Sequence, residues 1–413
     1  MKSDALKALE ALYDIFLGAE GVVTDTRKCS PNTLFFALSG ENFDGNRFAQ
    51  DALDKGCVAA VVDDPTLFDR PGMFGVADVL FTLQSLAAHH RRQWDFPVIG
   101  LTGSNGKTTT KELILAVLGT SFDVYGTHGN LNNHIGVPLT LLGIPTTAQV
   151  AIIEMGANHR GEIAKLSAIA SPSHGLITNI GLAHLEGFGG EQGVLLGKAE
   201  LYDHLHTVGG TAFVRSDDMD LLDASEGLER IIYGGNFATD CGHIDFALPG
   251  AHNLLNAEAA IAIGRHFGLS TETICNALEA FVPHSGRGEE KMTDSNSILD
   301  DCYNANPSSV EAALRAFASE GGKSPKFCIL GDMKELGSFA GEGHRKILQL
   351  AEELALDHWA VGPCFVEAAG VDTVAFADTD AVMDRLSTHP ISGRHILLKG
   401  SRSMALERLI DLL

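Results

Sequence analysis

The chain has 413 residues, the length of roughly two to four domains that can each bury a core. Hydrophobic residues make up 45% of it and charged residues 20%, which is typical of a globular protein and excludes a disordered or fibrous one. The formal net charge of −23 excludes a general nucleic-acid-binding protein such as a helicase, because such a protein needs a basic face.

The N-terminal residues and the cysteines predict where the protein is located and whether its thiols are reduced. Residues 1–7 lack the apolar core of a signal peptide, and no apolar run is long enough to span a bilayer. The seven cysteines form no C-x-x-C pair and no spacing typical of a metal site. We therefore expect a cytoplasmic protein with reduced thiols and no membrane partner.

Strand and helix patterns alternate along the chain, which predicts an α/β protein with largely parallel sheets. The apolar runs at 33–38 and 57–62 predict buried strands, and a helical pattern at 80–94 ends at the break Asp95-Phe96-Pro97. Further strands are predicted in the last part of the chain, at 327–330, 358–361 and 395–398. We expect three domains, over residues 1–94, 95–284 and 285–413, the last of them Rossmann-like.

The most informative segment is the glycine-rich turn T-G-S-N-G-K-T at 102–108, between a predicted strand at 96–99 and a predicted helix at 111–118. A strand, a glycine-rich turn and a helix N-terminus together surround a phosphate with backbone N–H groups. Lys107 is placed to neutralise the outer phosphates, and the Thr108 hydroxyl is placed to ligate Mg²⁺. Leu101 stands where the strict Walker pattern has its first glycine. The turn predicts that the chain binds a nucleoside triphosphate.

Two more polar groups follow predicted strands of the same segment. Glu154 ends the apolar run 150–153, and His184 follows the run 176–180. Ligand sites in open parallel sheets lie beyond the carboxyl ends of the strands, so Thr108, Glu154 and His184 would converge if these strands are neighbours. Each residue alone has an ordinary structural explanation: Glu154 could cap a helix, and His184 could be a hydrogen-bonded structural histidine.

Lys198 lies in a largely apolar helical pattern at 193–202. A surface lysine whose stem covers apolar groups is the ordinary explanation. A protonated lysine has donors only, so it cannot ligate a cation unless it is converted into something anionic. The spacing alone does not indicate such a conversion.

Together these motifs resemble the Mur ligase family over almost the whole chain. The matching segments are 25–28, 102–108, 129–138, 154–163, 184–189, 250–257, 300–307, 331–337 and 399–403. The pieces G-A-N-H-x-G-E-I and G-D-M-x-E-L-G resemble those of the branch that handles D-alanyl-D-alanine. The resemblance implies a three-domain Mur ligase architecture with a central P-loop ATPase domain and a C-terminal Rossmann-like domain.

What the resemblance implies is an ATP-dependent carboxylate–amine ligase of peptidoglycan synthesis. Its substrates would be UDP-MurNAc-tripeptide and D-Ala-D-Ala, joined through an acyl phosphate to give UDP-MurNAc-pentapeptide. The implied cofactors are ATP and Mg²⁺, which Mn²⁺ can replace, and a carbamylated lysine at Lys198. We expect a monomer with no nucleic-acid partner.

The resemblance also implies a role for individual residues. Lys107, Glu154, His184 and Lys198 would be catalytic. Thr108 and Glu154 would hold one Mg²⁺, and Glu154, His184 and carbamylated Lys198 a second. The implied ATP contacts are Thr102, Gly103, Ser104, Asn105, Gly106, Lys107, Thr108, Thr109, Asn253, Asn256, Arg287 and Asp301. Those to the UDP-linked substrate are Asp25, Thr26, Arg27, Asn130 and Asn133. Candidates for D-Ala-D-Ala are Asn306, Ser401 and Arg402.

Some positions depart from the family pattern, and two alternatives remain open. Cys302 replaces a serine after the paired aspartates, Gly190 replaces another, and the N-terminal segment is short. A sister ligase adding diaminopimelate, or a folylpolyglutamate synthase, would keep the ATP chemistry, but the D-N-P-R signature of the former is absent. A nucleotide-dependent switch would need neither Lys198 nor a second substrate domain.

Overall fold

The computed structural model describes residues 2–235, 241–242, 244, 246, 248, 250–282, 288–322, 324–371 and 373–413. Three main sheets follow one another along the chain, with four, six and six strands. The parts of the chain that form them are called the first segment (residues 2–91), the second segment (98–279) and the third segment (289–412). The predicted boundary between residues 94 and 95 falls between the first and second sheets, whereas that between 284 and 285 lies outside the described residues. The α/β architecture predicted from the sequence is confirmed.

The first sheet is parallel and joins the two strands predicted in this part to two short ones. Its strand order is β1-β2-β5-β6, with a small hairpin, β3 and β4, beside it. The strands are β1 Gly21–Val23, β2 Thr33–Phe36, β3 Ser39–Gly40, β4 Phe43–Asp44, β5 Ala59–Val62 and β6 Met73–Gly75. The helices are α1 Lys2–Leu17, α2 Ala49–Asp54 and α3 Val79–Arg91. Asp78 is the N-cap of α3, because its side chain accepts the N–H of Phe81 at 2.8 Å.

The second sheet has the order β12-β11-β10-β7-β9-β8 and is parallel throughout. Its strands are β7 Val98–Thr102, β8 Val124–Gly126, β9 Val150–Glu154, β10 His174–Ile177, β11 Thr211–Arg215 and β12 Glu229–Tyr233. Its helices are α4 Lys107–Leu118, α5 Gly136–Leu142, α6 Glu162–Ala170, α7 Leu185–Phe188, α8 Glu191–Val208, α9 Met219–Ala224, α10 Ala251–His266 and α11 Thr271–Glu279. Because β7 lies between β9 and β10, the P-loop, Glu154 and the segment before His184 leave the sheet at the same edge.

The third sheet has the order β13-β14-β18-β15-β16-β17, with β13 antiparallel and the rest parallel. Its strands are β13 Glu289–Met292, β14 Ser297–Asp300, β15 Lys326–Gly331, β16 Asp357–Val361, β17 Val374–Phe376 and β18 His395–Lys399. Its helices are α12 Pro307–Ser319, α13 Ala340–Glu353, α14 Pro363–Ala368 and α15 Thr379–Thr388. The three strands predicted here, at 327–330, 358–361 and 395–398, are the central ones β15, β16 and β18.

Helices cover the inner strands on both faces, which explains their continuous apolar runs. All residues of β7 and of β9 are buried, and β2 and β5 are buried to the same extent. A strand buried on one face alone would alternate apolar and polar residues instead. The polar side chains that end β7 and β9, Thr102 and Glu154, are therefore exceptions that need a partner.

Arg91 joins the first segment to the second. Its guanidinium donates from Nε to the carbonyl oxygen of Ala170 and from Nη2 to that of Ser171, both at 2.9 Å. These carbonyl groups end α6, so the arginine caps that helix with a charge of the favourable sign. Only 8% of Arg91 is exposed. The clamp holds α3 against the helix that follows the Glu154 strand.

We expect Arg91→Ala to lower the thermal unfolding midpoint by about 5 °C, because it removes charged donors worth about 1.5–3 kcal/mol each. Arg92→Ala is the matched control, since Arg92 is exposed at the end of the same helix. Differential scanning calorimetry of the two variants makes the comparison. Equal midpoints would contradict a clamping role for Arg91.

One expectation about the cysteines is wrong. Cys241 and Cys275 form a disulfide, and the cysteines at 29, 57, 302, 328 and 364 are free thiols. The two partners are 34 residues apart, so no local spacing identifies the pair. Within the described part of the chain, every helix is too short or too polar to cross a lipid bilayer.

Candidate active site

The P-loop has the geometry that the glycine-rich turn predicts. Thr102 ends β7 with its hydroxyl donating to the carbonyl oxygen of Met155 at 2.8 Å, and α4 begins at Lys107. Gly103 and Gly106 have φ of 142° and 76°, which side-chain-bearing residues rarely adopt. A Cβ on Gly103 would also collide with the Thr178 side chain. The first N–H groups of α4 therefore point into the turn, where they form an anion site.

Lys107 folds back over this turn. Its Nζ donates to the carbonyl oxygens of Gly103 at 2.6 Å and Ser104 at 3.1 Å. The cation thus lies at the mouth of the turn, where the outer phosphates of a nucleotide would bind. Phosphate oxygens are stronger acceptors for an ammonium group than neutral carbonyls are.

Glu154 is a buried carboxylate whose hydrogen-bond donors are neutral. Only 2% of the residue is exposed. Its Oε2 accepts from the Thr108 hydroxyl and its Oε1 from the Asn132 amide, both at 2.9 Å. Burying a carboxylate costs several kcal/mol unless a cation or hydrogen bonds compensate it. A hydroxyl and a carboxylate in contact are also the oxygen ligands that Mg²⁺ prefers, so these residues fit that cation.

His184 lies at the end of the loop that follows β10 and begins α7. Its backbone is left-handed, with φ of 54°. Its ring lines the cleft described below, and its Nδ1 contacts the Glu335 carboxylate from the third segment. The contact with His184 holds the pKa of Glu335 below its usual range.

Lys198 is buried rather than exposed. It lies on α8 with 1% of its surface exposed, and its Nζ donates to the carbonyl oxygen of Ala157 at 3.3 Å. The same Nζ lies 5.1 Å from the centroid of the Phe188 ring. Burial, and secondly the charge of Lys107, holds the pKa of Lys198 well below its ordinary value. A lysine of lowered pKa is more often a neutral, nucleophilic amine.

Most of the predicted site residues line one cleft of about 860 Å³ between the second and third sheets. Those that do so are Ser104, Asn105, Gly106, Lys107, Thr108, Thr109, Asn130, Asn133, Glu154, His184, Asn253, Asn256, Asp301 and Asn306. Ala157, the partner of Lys198, also lines it, so the lysine lies directly behind the cleft wall. Arg287 lies outside the described residues.

The α10 helix closes the nucleotide side of the cleft. It packs along α4, and the Asn256 amide oxygen accepts from the Thr110 hydroxyl at 3.0 Å. Asn256 in turn donates to the Asn253 side chain at 3.2 Å. A Cβ on Gly106 would lie 2.7 Å from the Asn256 amide oxygen. This position therefore requires glycine both for its left-handed backbone and for the close approach of Asn256.

The third segment reaches the P-loop through the start of α12. Asn105 donates to the Ser308 hydroxyl at 2.8 Å and accepts from the Asn306 amide at 2.7 Å. Asn306 is also the N-cap of α12, because its side chain accepts the Ser309 N–H at 2.9 Å. Asn306, a candidate for D-Ala-D-Ala, is thus engaged by the helix and by the P-loop.

The other two D-Ala-D-Ala candidates lie away from the cleft lining. Ser401 is buried, and its hydroxyl accepts the Lys334 N–H at 2.9 Å. Arg402 is exposed and pairs with Glu407 at 3.2 Å. Their contact with a substrate stays a prediction.

The predicted UDP contacts Asp25, Thr26 and Arg27 lie just after β1, in the first segment, and do not line the cleft. The Asp25 carboxylate begins a short 3₁₀ turn, accepting the Arg27 N–H at 2.9 Å, and pairs with its guanidinium at 2.7 Å. This hydrogen bonding lowers the pKa of Asp25 to about 2.

Three further residues of the site lie in motifs that the sequence singled out without naming them. Asn132 donates to Glu154. Lys399 lines the cleft, pairs with Asp301 at 2.8 Å and donates to the Asn304 carbonyl oxygen at 2.9 Å. Glu335 contacts His184. Lys399 could have been found in the sequence, because it is a charged residue that ends an apolar strand. Glu154 was identified by the same pattern.

Comparison with known families matches all three segments. Residues 19–82 match the Mur ligase family catalytic domain, residues 101–236 the Mur ligase middle domain, and residues 286–402 the Mur ligase glutamate ligase domain.

Individual relatives match over nearly the full length. The chain is 36% identical to the UDP-N-acetylmuramoyl-tripeptide–D-alanyl-D-alanine ligase of Bacillus subtilis (strain 168), covering 94% of this chain and 92% of the relative. It is similar to the crystal structure of MurF from Acinetobacter baumannii, with a TM-score of 0.85, 31% identity and 98% of each chain covered. The MurF ligase of Thermotoga maritima in complex with ADP matches with a TM-score of 0.84 and 25% identity, over 96% of this chain and 97% of that one.

Proposed function

The chain belongs to the Mur ligase family, and on that premise we propose how its cleft performs an ATP-dependent amide synthesis. The enzyme adds D-alanyl-D-alanine to UDP-MurNAc-tripeptide and forms the UDP-MurNAc-pentapeptide of peptidoglycan synthesis, as its named relatives do. ATP is its phosphoryl donor. We assign the UDP-linked substrate to residues 1–94, ATP to 95–284 and the amine substrate to 285–413.

The observation that carries the mechanism is the meeting of Thr108, Glu154 and His184 in one cleft, with Lys198 behind its wall. A nucleotide switch would need the P-loop alone. The buried amine of Lys198 and the ring of His184 would have no use in such a switch. They are placed to act on a second reacting group that lies beside the γ-phosphate. This arrangement favours ligation over simple nucleotide hydrolysis.

In the first step, a terminal carboxylate oxygen of the tripeptide attacks the γ-phosphorus of ATP. The new O–P bond forms as the bond to the β-phosphate oxygen breaks, and ADP leaves from the acyl phosphate. Lys107 and the first N–H groups of α4 stabilise the charge that moves towards the β-phosphate. Asn130 and Asn133, in the loop before α5, also line the cleft, and we assign them to the acceptor.

Thr108 and Glu154 would hold one Mg²⁺, or Mn²⁺ in its place, and Glu154 and His184 with carbamylated Lys198 a second. Metal ions bound there supply positive charge that offsets the charge of the transferring phosphoryl group. The neutral Lys198 amine attacks CO₂, a C–N bond forms, and loss of a proton leaves a carbamate. Conversion of the lysine thus supplies the oxygen ligand that an ammonium group lacks.

In the second step, the amine of D-Ala-D-Ala attacks the acyl carbon. A tetrahedral intermediate forms, the C–O bond to phosphate breaks, and the amine nitrogen loses its proton. The contacts from Asn105 to Ser308 and Asn306 close the third segment over the P-loop, which protects the acyl phosphate from water. We propose that the enzyme acts as a monomer on the UDP-linked acceptor in the cytoplasm.

Phosphate release from ATP tests this function when UDP-MurNAc-tripeptide and D-Ala-D-Ala are supplied separately and together. We expect release only with both substrates, together with the pentapeptide product, and the acceptors with meso-diaminopimelate or L-lysine reveal which third residue is used. Release that is indifferent to D-Ala-D-Ala would show an ATPase of this fold and contradict the proposal.

A further inference from the structure

The contact between His184 and Glu335 joins two separate parts of the molecule. His184 begins α7 in the second segment, whereas Glu335 lies in the loop that follows β15 in the third segment. The carboxylate meets Nδ1 of the imidazole. Nε2 is then the ring nitrogen that can ligate a cation in the cleft.

The loop that carries Glu335 is held through three successive backbone N–H groups. The N–H of Asp332 donates to the Val361 carbonyl oxygen at 2.8 Å, and that of Met333 donates to His344 Nε2 at 3.0 Å. The N–H of Lys334 donates to the Ser401 hydroxyl at 2.9 Å. Glu335 thus follows three fixed residues.

The buried side chains beneath this loop resemble a metal site but serve the loop. Asp332, His344 and Cys364 lie close together. However, the Asp332 carboxylate accepts the N–H groups of Cys364 at 3.1 Å and Phe365 at 2.9 Å at the start of α14, and His344 Nε2 accepts from Met333. Because both side chains are engaged in this way, the cluster fixes the position of the loop.

Backbone geometry on both sides of the contact supports a built arrangement. Glu335 and His184 both have left-handed φ, 63° and 54°, which residues with a Cβ rarely adopt. Gly337 has φ of 53°, and a Cβ there would lie 3.0 Å from the Glu186 side chain on α7. The loop is therefore seated closely against the helix that His184 begins.

We propose that Glu335 is a positioning residue, which holds the His184 ring so that Nε2 faces the metal site. This inference rests on the proposed role of His184. Histidines that ligate metals commonly donate their other ring nitrogen to a carboxylate, which fixes the tautomer and the ring orientation. Here the carboxylate comes from the segment assigned to the amine substrate. The metal site in the second segment is thereby complete only when the third segment is seated on it.

Three variants and two readouts test the proposal. Glu335→Ala removes the carboxylate, Glu335→Gln keeps an acceptor without the charge, and Glu342→Ala is the matched control. Glu342 lies on α13 and pairs with Lys346 at the protein surface. Circular dichroism and thermal midpoints of the variants establish that each one is folded.

The first readout is the binding of Mn²⁺ in the presence of ADP, measured by electron paramagnetic resonance. We expect about 10–100-fold weaker binding in Glu335→Ala, a smaller loss in Glu335→Gln and wild-type binding in Glu342→Ala. The same order is expected for kcat, with the KM for ATP within about twofold of wild type, because Glu335 does not line the nucleotide side of the cleft. Equal Mn²⁺ affinity in Glu335→Ala and Glu342→Ala would overturn the proposal.

The second readout needs neither metal nor substrate. In protein with ¹⁵N-labelled histidine, the His184 resonances are identified by their absence in His184→Asn. We expect one tautomer with Nδ1 protonated in the wild type, and averaged nitrogen shifts in Glu335→Ala. Unchanged nitrogen shifts in Glu335→Ala would refute the positioning role. Absence of ligation activity in the wild-type enzyme would instead refute the proposed function.

Discussion

Ligation falls by on the order of 10³-fold in kcat when Lys198 is replaced by alanine, the largest loss that we expect from a single substitution. Lys198 is 1% exposed, next to the cleft wall, and its pKa is held down by burial. Carbamylation would make it an anionic ligand, and alanine cannot replace that ligand. Steady-state phosphate release with both substrates measures the loss.

Short carboxylic acids should restore part of this activity. Acetate or formate can occupy the space left by the side chain and supply a carboxylate, whereas acetamide supplies none. Lys346→Ala is the matched control, since Lys346 is 68% exposed and pairs with Glu342. Wild-type activity in Lys198→Ala, or equal rescue by acetamide, would contradict the carbamate.

The second large effect is expected for Glu154→Gln, with kcat lower by about 10²–10³-fold and a higher Mg²⁺ requirement. Glutamine has nearly the same shape and keeps an oxygen that can accept from Thr108, but its NH₂ group cannot accept from Asn132, so the shape of the cleft is kept while the charge and one hydrogen bond are lost.

A magnesium titration of kcat checks this prediction, with Glu272→Gln as the control at an exposed position in the first turn of α11. We expect the control to follow the wild-type curve. Glu154→Gln with an unchanged Mg²⁺ requirement would contradict the role of Glu154 as a ligand, whatever the change in kcat.

The local parts of the site could be predicted from the sequence. A glycine-rich turn followed by Lys107 and Thr108 fixes its own geometry, because left-handed backbone and close approach require the glycines. A polar residue that ends a continuous apolar run, as Glu154 does, must lie at the carboxyl end of a buried strand. Both features depend only on residues near one another in the chain.

What the sequence could not show is how distant segments meet. The order β9-β7-β10, which makes Thr108, Glu154 and His184 neighbours, depends on the pairing of the whole sheet. Asn105 and Ser308 are 203 positions apart, and Glu335 and His184 lie in different segments of the chain. The disulfide partners Cys241 and Cys275 meet in the same way. Such contacts follow from packing, which has no periodic signature in the sequence.

The acyl phosphate is tested most directly with UDP-MurNAc-tripeptide whose terminal carboxylate carries ¹⁸O in both oxygens. One of these oxygens attacks the γ-phosphorus, so mass spectrometry should find one ¹⁸O in each phosphate released and one in the new amide. This labelling should require ATP and D-Ala-D-Ala together. Unlabelled phosphate would mean that water attacks ATP, which would contradict ligation through an acyl phosphate.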